Sequence, residues 1–156
     1  MNCAVCGGAV SQVAEKRLGR YRDETVEVES EFLRCEECQE EFFSPAQMSA
    51  HIRSVKNEIR KRYGLLPPEK IVAIRKKLEL TQDELEQLLG TGPKVVVRWE
   101  SGKVIQGRGQ DNILRLLDCD PTIVKTLRQI QQLRHNEQDK YQRANKPNPK
   151  MVAQAV

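Results

Sequence analysis

Apolar residues are spaced in two ways along the chain. From Ala9 to Arg34 the text is strand-like. Val10 and Val13 lead to a turn expected near Leu18-Gly19-Arg20, and Thr25-Val26-Glu27-Val28-Glu29 then alternates apolar and charged residues as a half-exposed strand does. Phe32-Leu33-Arg34 continues toward a cysteine pair, and Phe42-Phe43 follows that pair. At Ser44-Pro45 the period changes. Serine suits a helix N-cap and proline the first helical position. Met48, Ile52, Val55 and Ile59 recur at steps of four, three and four, which is one helical face, and Gly64 ends it.

Leu65-Leu66-Pro67-Pro68 reads as a short stiff linker and the best domain boundary. Five helices are expected beyond it, over about 69–78, 82–89, 93–101, 109–118 and from 121 to about 140. The last carries Ile123, Leu127, Ile130 and Leu133 as an apolar stripe. Tyr141 to Val156 has Asn, Pro, Gln and Lys without period and reads as a tail.

The 156 residues suit one or two small domains, with 38% hydrophobic and 31% charged residues, as in soluble proteins. No apolar run approaches the roughly 18 residues of a membrane span. The start, Met1-Asn2-Cys3, has no apolar signal region, so a reducing cytoplasm is expected, where cysteines bind metal or do chemistry rather than pair. The net charge of +4 is unevenly placed. Residues 1–66 carry 10 Lys and Arg against 11 Asp and Glu, whereas residues 67–156 carry 16 against 11. The basic second part is the candidate for a polyanionic partner.

Cys3-x-x-Cys6 and Cys35-x-x-Cys38 are two CxxC pairs separated by 28 residues. Each fits a tight turn that aims two thiolates at one point, and two such turns make a tetrahedral four-sulfur site suited to Zn²⁺. Gly7-Gly8 lets backbone pack close to the sulfurs, and the interval holds one hairpin of about 25 residues. Four thiolates leave no open position, so one structural zinc per chain is expected. The alternative is redox or free cysteines, but a redox CxxC opens a helix in a βαβ setting, which neither pair does. Cys119 reads as a core residue or a surface thiol, and His51 and His135 as surface histidines.

Leu80 to Leu89 forms a helix capped by Thr81, Gly90-Thr91-Gly92 a tight turn, and Pro93 opens a second helix closed by Ser101-Gly102. This is the pattern of a helix-turn-helix, whose second helix enters the major groove. Periodicity packs Val96 and Trp99 on Leu85, Leu88 and Leu89 and leaves Lys94, Val95, Val97 and Arg98 outward. Arginine forks onto guanine and valine meets a thymine methyl. Arg75-Lys76-Lys77 and Lys103 are candidate phosphate contacts. The competing reading of the pattern is a plain helical hairpin in a core.

These residues together resemble the MqsA (YgiT-type) antitoxin family, from Met1 to about Leu127. Cys3, Cys6, Cys35 and Cys38 match the family's zinc ligands. Ile74-Arg75-Lys76-Lys77-Leu78 with Leu80-Thr81-Gln82, then Arg98-Trp99-Glu100-Ser101-Gly102, match its XRE-type DNA-binding domain. The match adds Thr81 and Gln82 to the DNA-contacting residues. The resemblance implies a zinc domain that neutralises an often RNA-cleaving toxin, and a C-terminal domain that dimerises and binds a palindromic operator. Arg98 matches a base-reading arginine; Lys94 stands where the family has a base-reading asparagine. The chain runs roughly 25 residues past the usual family end, and in some relatives such a tail docks a SecB-like chaperone.

The resulting reading is α+β. A four-cysteine zinc- and toxin-binding domain with a hairpin and a helix spans 1–64, a linker 65–68, a five-helix DNA-binding and dimerisation domain 69–140, and a tail 141–156. The expected dimer surface is Ile123, Leu127, Ile130 and Leu133 with Leu116 and Leu117; the alternative is that these residues only close their own core. A stand-alone zinc-containing regulator is the second reading of function. An enzyme is the weakest, since no nucleophile–base pair or phosphate-cradling loop is apparent and a saturated zinc cannot activate water.

Overall fold

The alternating segment folds into one long hairpin. β1 (Val10–Tyr21) pairs antiparallel with β2 (Glu24–Cys35) along its whole length, from Val10 opposite Cys35 to Tyr21 opposite Glu24, in a computed structural model that describes residues 2–145. A short β3 (Glu41–Phe42) adds to β2, in the order β1-β2-β3. Val26, Val28, Ser30 and Phe32 point inward and Glu27, Glu29 and Glu31 outward, as the alternation requires.

The chain reverses at Arg22-Asp23, with Arg22 at φ +56°, and not at Leu18-Gly19-Arg20. Gly19 lies within β1 opposite Val26. It is glycine because helix α1 (Pro45–Arg62) crosses the hairpin there, and a Cβ would stand 2.0 Å from Val55 Cγ2. The glycine marks a close approach rather than a turn.

Ser44 caps α1 as expected. Its hydroxyl accepts the Gln47 N–H, and the Gln47 side chain accepts the Ser44 N–H, a capping box. The buried face differs in part from the expected one. Val55 and Ile59 are buried, but Met48 and Ile52 are exposed, and the inward row passes through His51. Expected at the surface, His51 is half-buried, with Nδ1 2.6 Å from Ser30 Oγ and its ring 5.4 Å from Phe43. Burial and the nearby Arg17 push its imidazole below the ordinary value.

Five helices follow: α2 (Pro68–Lys77), α3 (Gln82–Leu89), α4 (Val95–Glu100), α5 (Arg108–Cys119) and α6 (Ile123–Ala144). Ile71, Ile74, Leu85, Leu88, Val96, Trp99, Leu114 and Leu117 make their shared core. α6 runs on through Tyr141 to Ala144, residues expected in the tail; the rest of that tail, 146–156, lies outside the described residues. Leu117 is fully buried, and Ile123 and Leu127 are half-buried against their own core, so three of the residues expected at a dimer surface close this one. Leu116, Ile130 and Leu133 remain exposed. Cys119 is exposed. Among the described residues no helix is long and apolar enough to cross a membrane.

The segment read as a linker is packed into the seam between the two halves. Leu66 belongs to the C-terminal core; its N–H donates to Asp111 Oδ1 at 2.7 Å and its carbonyl accepts from Gln106 Nε2 at 2.6 Å. Arg115 donates to the Gly64 carbonyl and Arg108 to that of Tyr63. In return Ile105, which follows α4, sits in the N-terminal core with Val26, Val28, Val55 and Ile59.

Candidate metal centre and nucleic-acid interface

Two loops of the same form bring the cysteines together. In each, the first cysteine's N–H donates to the carbonyl five residues on: Cys3 to Gly8 and Cys35 to Glu40, both at 2.9 Å. Its own carbonyl accepts the N–H of the residue after the second cysteine, Gly7 at 2.9 Å and Gln39 at 3.2 Å. That residue takes a left-handed conformation in both loops, φ +79° at Gly7 and +59° at Gln39. Glycine does this without strain, and a side chain costs about 1–2 kcal/mol. The Glu36 N–H donates to the Ala9 carbonyl and ties the loops together at the base of the hairpin.

The four Sγ atoms lie within 4.8 Å of one another, with Cys3–Cys38 at 3.6 Å and Cys6–Cys35 at 3.4 Å. A tetrahedral ion with sulfur ligands at about 2.3 Å sets sulfurs about 3.8 Å apart. The cluster therefore fits a metal ion of zinc's size, and an all-sulfur donor set is consistent with zinc. The Val5 and Gly8 N–H groups point at Cys3 Sγ and Cys6 Sγ, both at 3.4 Å. Backbone N–H groups at Cys6 and Val5 draw the Cys3 thiol down to about 7. At Cys38 the Glu40 N–H also lowers the thiol, but its hydrogen bond with Cys6 and burial outweigh it and push it up to about 12. Thiolates this close repel, and a bound cation would offset that repulsion. Cys3 and Cys35 are buried, and Cys6 and Cys38 are exposed.

In the basic half, Thr81 caps α3 through a capping box with Glu84, and Gly90 ends it at φ +64°. The turn runs on through Pro93 and Lys94, so α4 begins at Val95, two residues later than Pro93 suggested. Glu86 explains the start. Its buried carboxylate reaches from α3 and accepts the N–H of Lys94 and of Val96, both at 3.0 Å, satisfying donors that a helix leaves free. Val96 and Trp99 are buried as periodicity required. Lys94 and Arg98 are exposed, whereas Val95 and Val97 are half-buried and Val95 packs on the core, so the outward face is narrower than expected.

A second internal network binds three helices. Arg75 of α2 forks onto Glu100 of α4, Nε–Oε1 at 2.6 Å and Nη2–Oε2 at 3.0 Å, and Gln82 of α3 donates to the same carboxylate at 2.7 Å. Arg75 is thus occupied inside the protein, and Lys77 pairs with Asp118. Lys76, Lys77 and Lys103 are exposed. Thr81 is exposed at the mouth of α3, its hydroxyl donating to Glu84, and Gln82 is half-buried beside it. The capping role of Glu86 is hidden in the sequence because an acidic residue in a basic half looks like solvated charge. The available signal for Glu86 was its place beside Leu85 and Leu88 just ahead of a glycine turn.

A family model described as the antitoxin component of a bacterial toxin–antitoxin system, MqsA, matches residues 1–128. Antitoxin MqsA of Escherichia coli (strain K12) is similar, 30% identical over 131 residues that cover 82% of this chain and 100% of that protein. The family match stops within the first turns of α6.

Proposed function

The chain belongs to the MqsA family of antitoxins of bacterial toxin–antitoxin systems, and on that premise we propose that its N-terminal half neutralises a cognate toxin while its C-terminal half represses its own operon. The toxin acts by cleaving mRNA. The domains are the zinc- and toxin-binding 1–64, the joint 65–68 and the DNA-binding 69–140. One Zn²⁺ bound by Cys3, Cys6, Cys35 and Cys38 is structural, because a saturated four-sulfur site offers no position to a substrate. The protein works by binding in the cytoplasm and has no enzymatic step.

The observation that carries the DNA reading is α4. It is a short helix pinned by Glu86 at its start and by Glu100 at its end, with Lys94 and Arg98 free on the outer side. In a helix-turn-helix that side enters the major groove. Arg98 reads a guanine there with Lys94 beside it, Val97 flanks them against a thymine methyl while Val95 packs inward on the core, and Thr81, Gln82 and Lys103 meet the backbone. One such unit covers a few base pairs, so a homodimer on a palindrome is proposed, with Leu116, Ile130 and Leu133 as the remaining candidates for its interface. A chaperone-docking role for the tail concerns residues outside those described.

Two measurements test this. Arg98→Ala is expected to weaken binding to a duplex from upstream of its own gene by about 1–3 kcal/mol and to relax preference at one base position. Unchanged binding would refute the outward face assigned to α4. The product of the adjacent gene is expected to co-purify with residues 1–64 intact and to lose that association when the cysteine cluster is disrupted. A neighbour that never associates favours a stand-alone regulator.

A further inference from the structure

The loop that follows α4 is held from both sides. On one side the Val104 N–H donates to the Arg98 carbonyl at 3.1 Å, so the loop closes on the helix that carries the proposed base reader. On the other side α1, in the N-terminal half, supplies two cations one turn apart. Lys56 Nζ donates to the Lys103 carbonyl at 2.7 Å, and Arg60 Nη2 to the Val104 carbonyl at 3.2 Å. The next residue, Ile105, places its N–H 3.5 Å from Tyr21 Oη and its side chain in the N-terminal core.

Mere closure of a seam would not need these groups. Arg60 is only 2% exposed, and its other hydrogen bond goes to Asn57 at 3.1 Å. Burying a guanidinium against carbonyls carries a desolvation penalty, which an apolar pair would avoid. A cation on a carbonyl does what an apolar contact does not: it fixes the direction of the peptide. Here it fixes the two peptides that aim the exposed Lys103 side chain and tie back to Arg98.

We infer that Lys56 and Arg60 of α1 are positioning residues for operator binding, so that the N-terminal half buttresses the DNA-reading half across the seam. This rests on the reading of Arg98 and Lys103 as DNA contacts. Neither cation need touch DNA; they act through the loop from Lys103 to Ile105.

The test uses the full chain and operator titrations over a range of salt. Lys103→Ala is expected to lower affinity several-fold and the salt slope by about one, as loss of one phosphate contact does. Lys56→Met, which keeps the aliphatic stem, is expected to give the same change, and the double variant to bind no worse than either alone. Lys56→Arg should restore binding, and Arg60→Lys should weaken it. In the absence of DNA, Lys56→Met should speed hydrogen exchange at the Val104 amide. Wild-type operator binding by Lys56→Met, or losses that multiply in the double variant, would overturn the inference while Arg98→Ala still reports on the DNA reading. A chain that binds no duplex at all would overturn both.

Discussion

Cys35→Ser is expected to unfold the N-terminal half at room temperature. The variant removes a fully buried sulfur at the point where β2 ends and where the ladder begins with Val10. The hairpin lies against one helix, and the core it shares is Val26, Val28, Val55, Ile59 and a borrowed Ile105. At about 25 cal/mol per Å² that core cannot alone offset the ordering of some sixty residues. Metal binding at four-sulfur sites supplies roughly 10–16 kcal/mol of apparent free energy, and losing one thiolate forfeits much of it. The strand signal in circular dichroism should fall, the metal content should drop, and wild-type protein treated with a strong chelator should behave alike. The helices α2 to α5 should persist, with a lowered melting temperature because the seam is lost. A chelated protein with an intact hairpin would contradict this.

Asp111→Ala is expected to destabilise the protein by about 2–4 kcal/mol at neutral pH. Asp111 is 1% exposed and sits on α5, where its Oδ1 accepts from Leu66 N–H and Gln106 Nε2 and its Oδ2 from Arg115. Alanine leaves a buried N–H and a buried amide without an acceptor, each costing about 1–3 kcal/mol. Arg115 is half-exposed, so its own pairing adds little. Burial by itself would raise the Asp111 carboxyl, but hydrogen bonds from Arg115, Leu66 and Gln106 outweigh it and hold the group below its ordinary value. A depressed carboxyl contributes stability above the unfolded pKa, and that contribution is lost as pH falls through the native value. The gap between wild type and variant should therefore be full at pH 7 and close in acid below about pH 4. Urea titrations at a series of pH values measure both; a gap that widens in acid would refute the assignment.

The features visible in the sequence share a physical cause: they are local. The four cysteines announce themselves by spacing, the caps at Ser44 and Thr81 by one residue and its partner three places on, and Val96 and Trp99 by helical period. The features that escaped involve partners far apart in the chain. Gly19 looked like a turn because nothing near it reveals that Val55 will cross it. His51 reads as a surface residue because Ile52 beside it is more apolar, and only the buried Ser30 hydroxyl on the hairpin makes the imidazole the better inward group. Arg75 reads as a free cation because Glu100, its partner, lies beyond a turn and another helix. Two prolines suggested a stiff spacer; the acceptor that pulls Leu66 into a seam is Asp111, far downstream.

Ile105 has a consequence for the history and engineering of such chains. It is encoded after α4 yet completes the core beneath the hairpin, while Leu66, encoded before the prolines, fills the core of the other half. The two halves therefore interlock, each holding a piece of the other. A graft cut at Pro67-Pro68 would carry Leu66 away from its pocket and leave Ile105 facing a foreign surface. Exchange of front ends between relatives would have to bring along the residues opposite both, so the two ends should diversify together rather than as interchangeable parts.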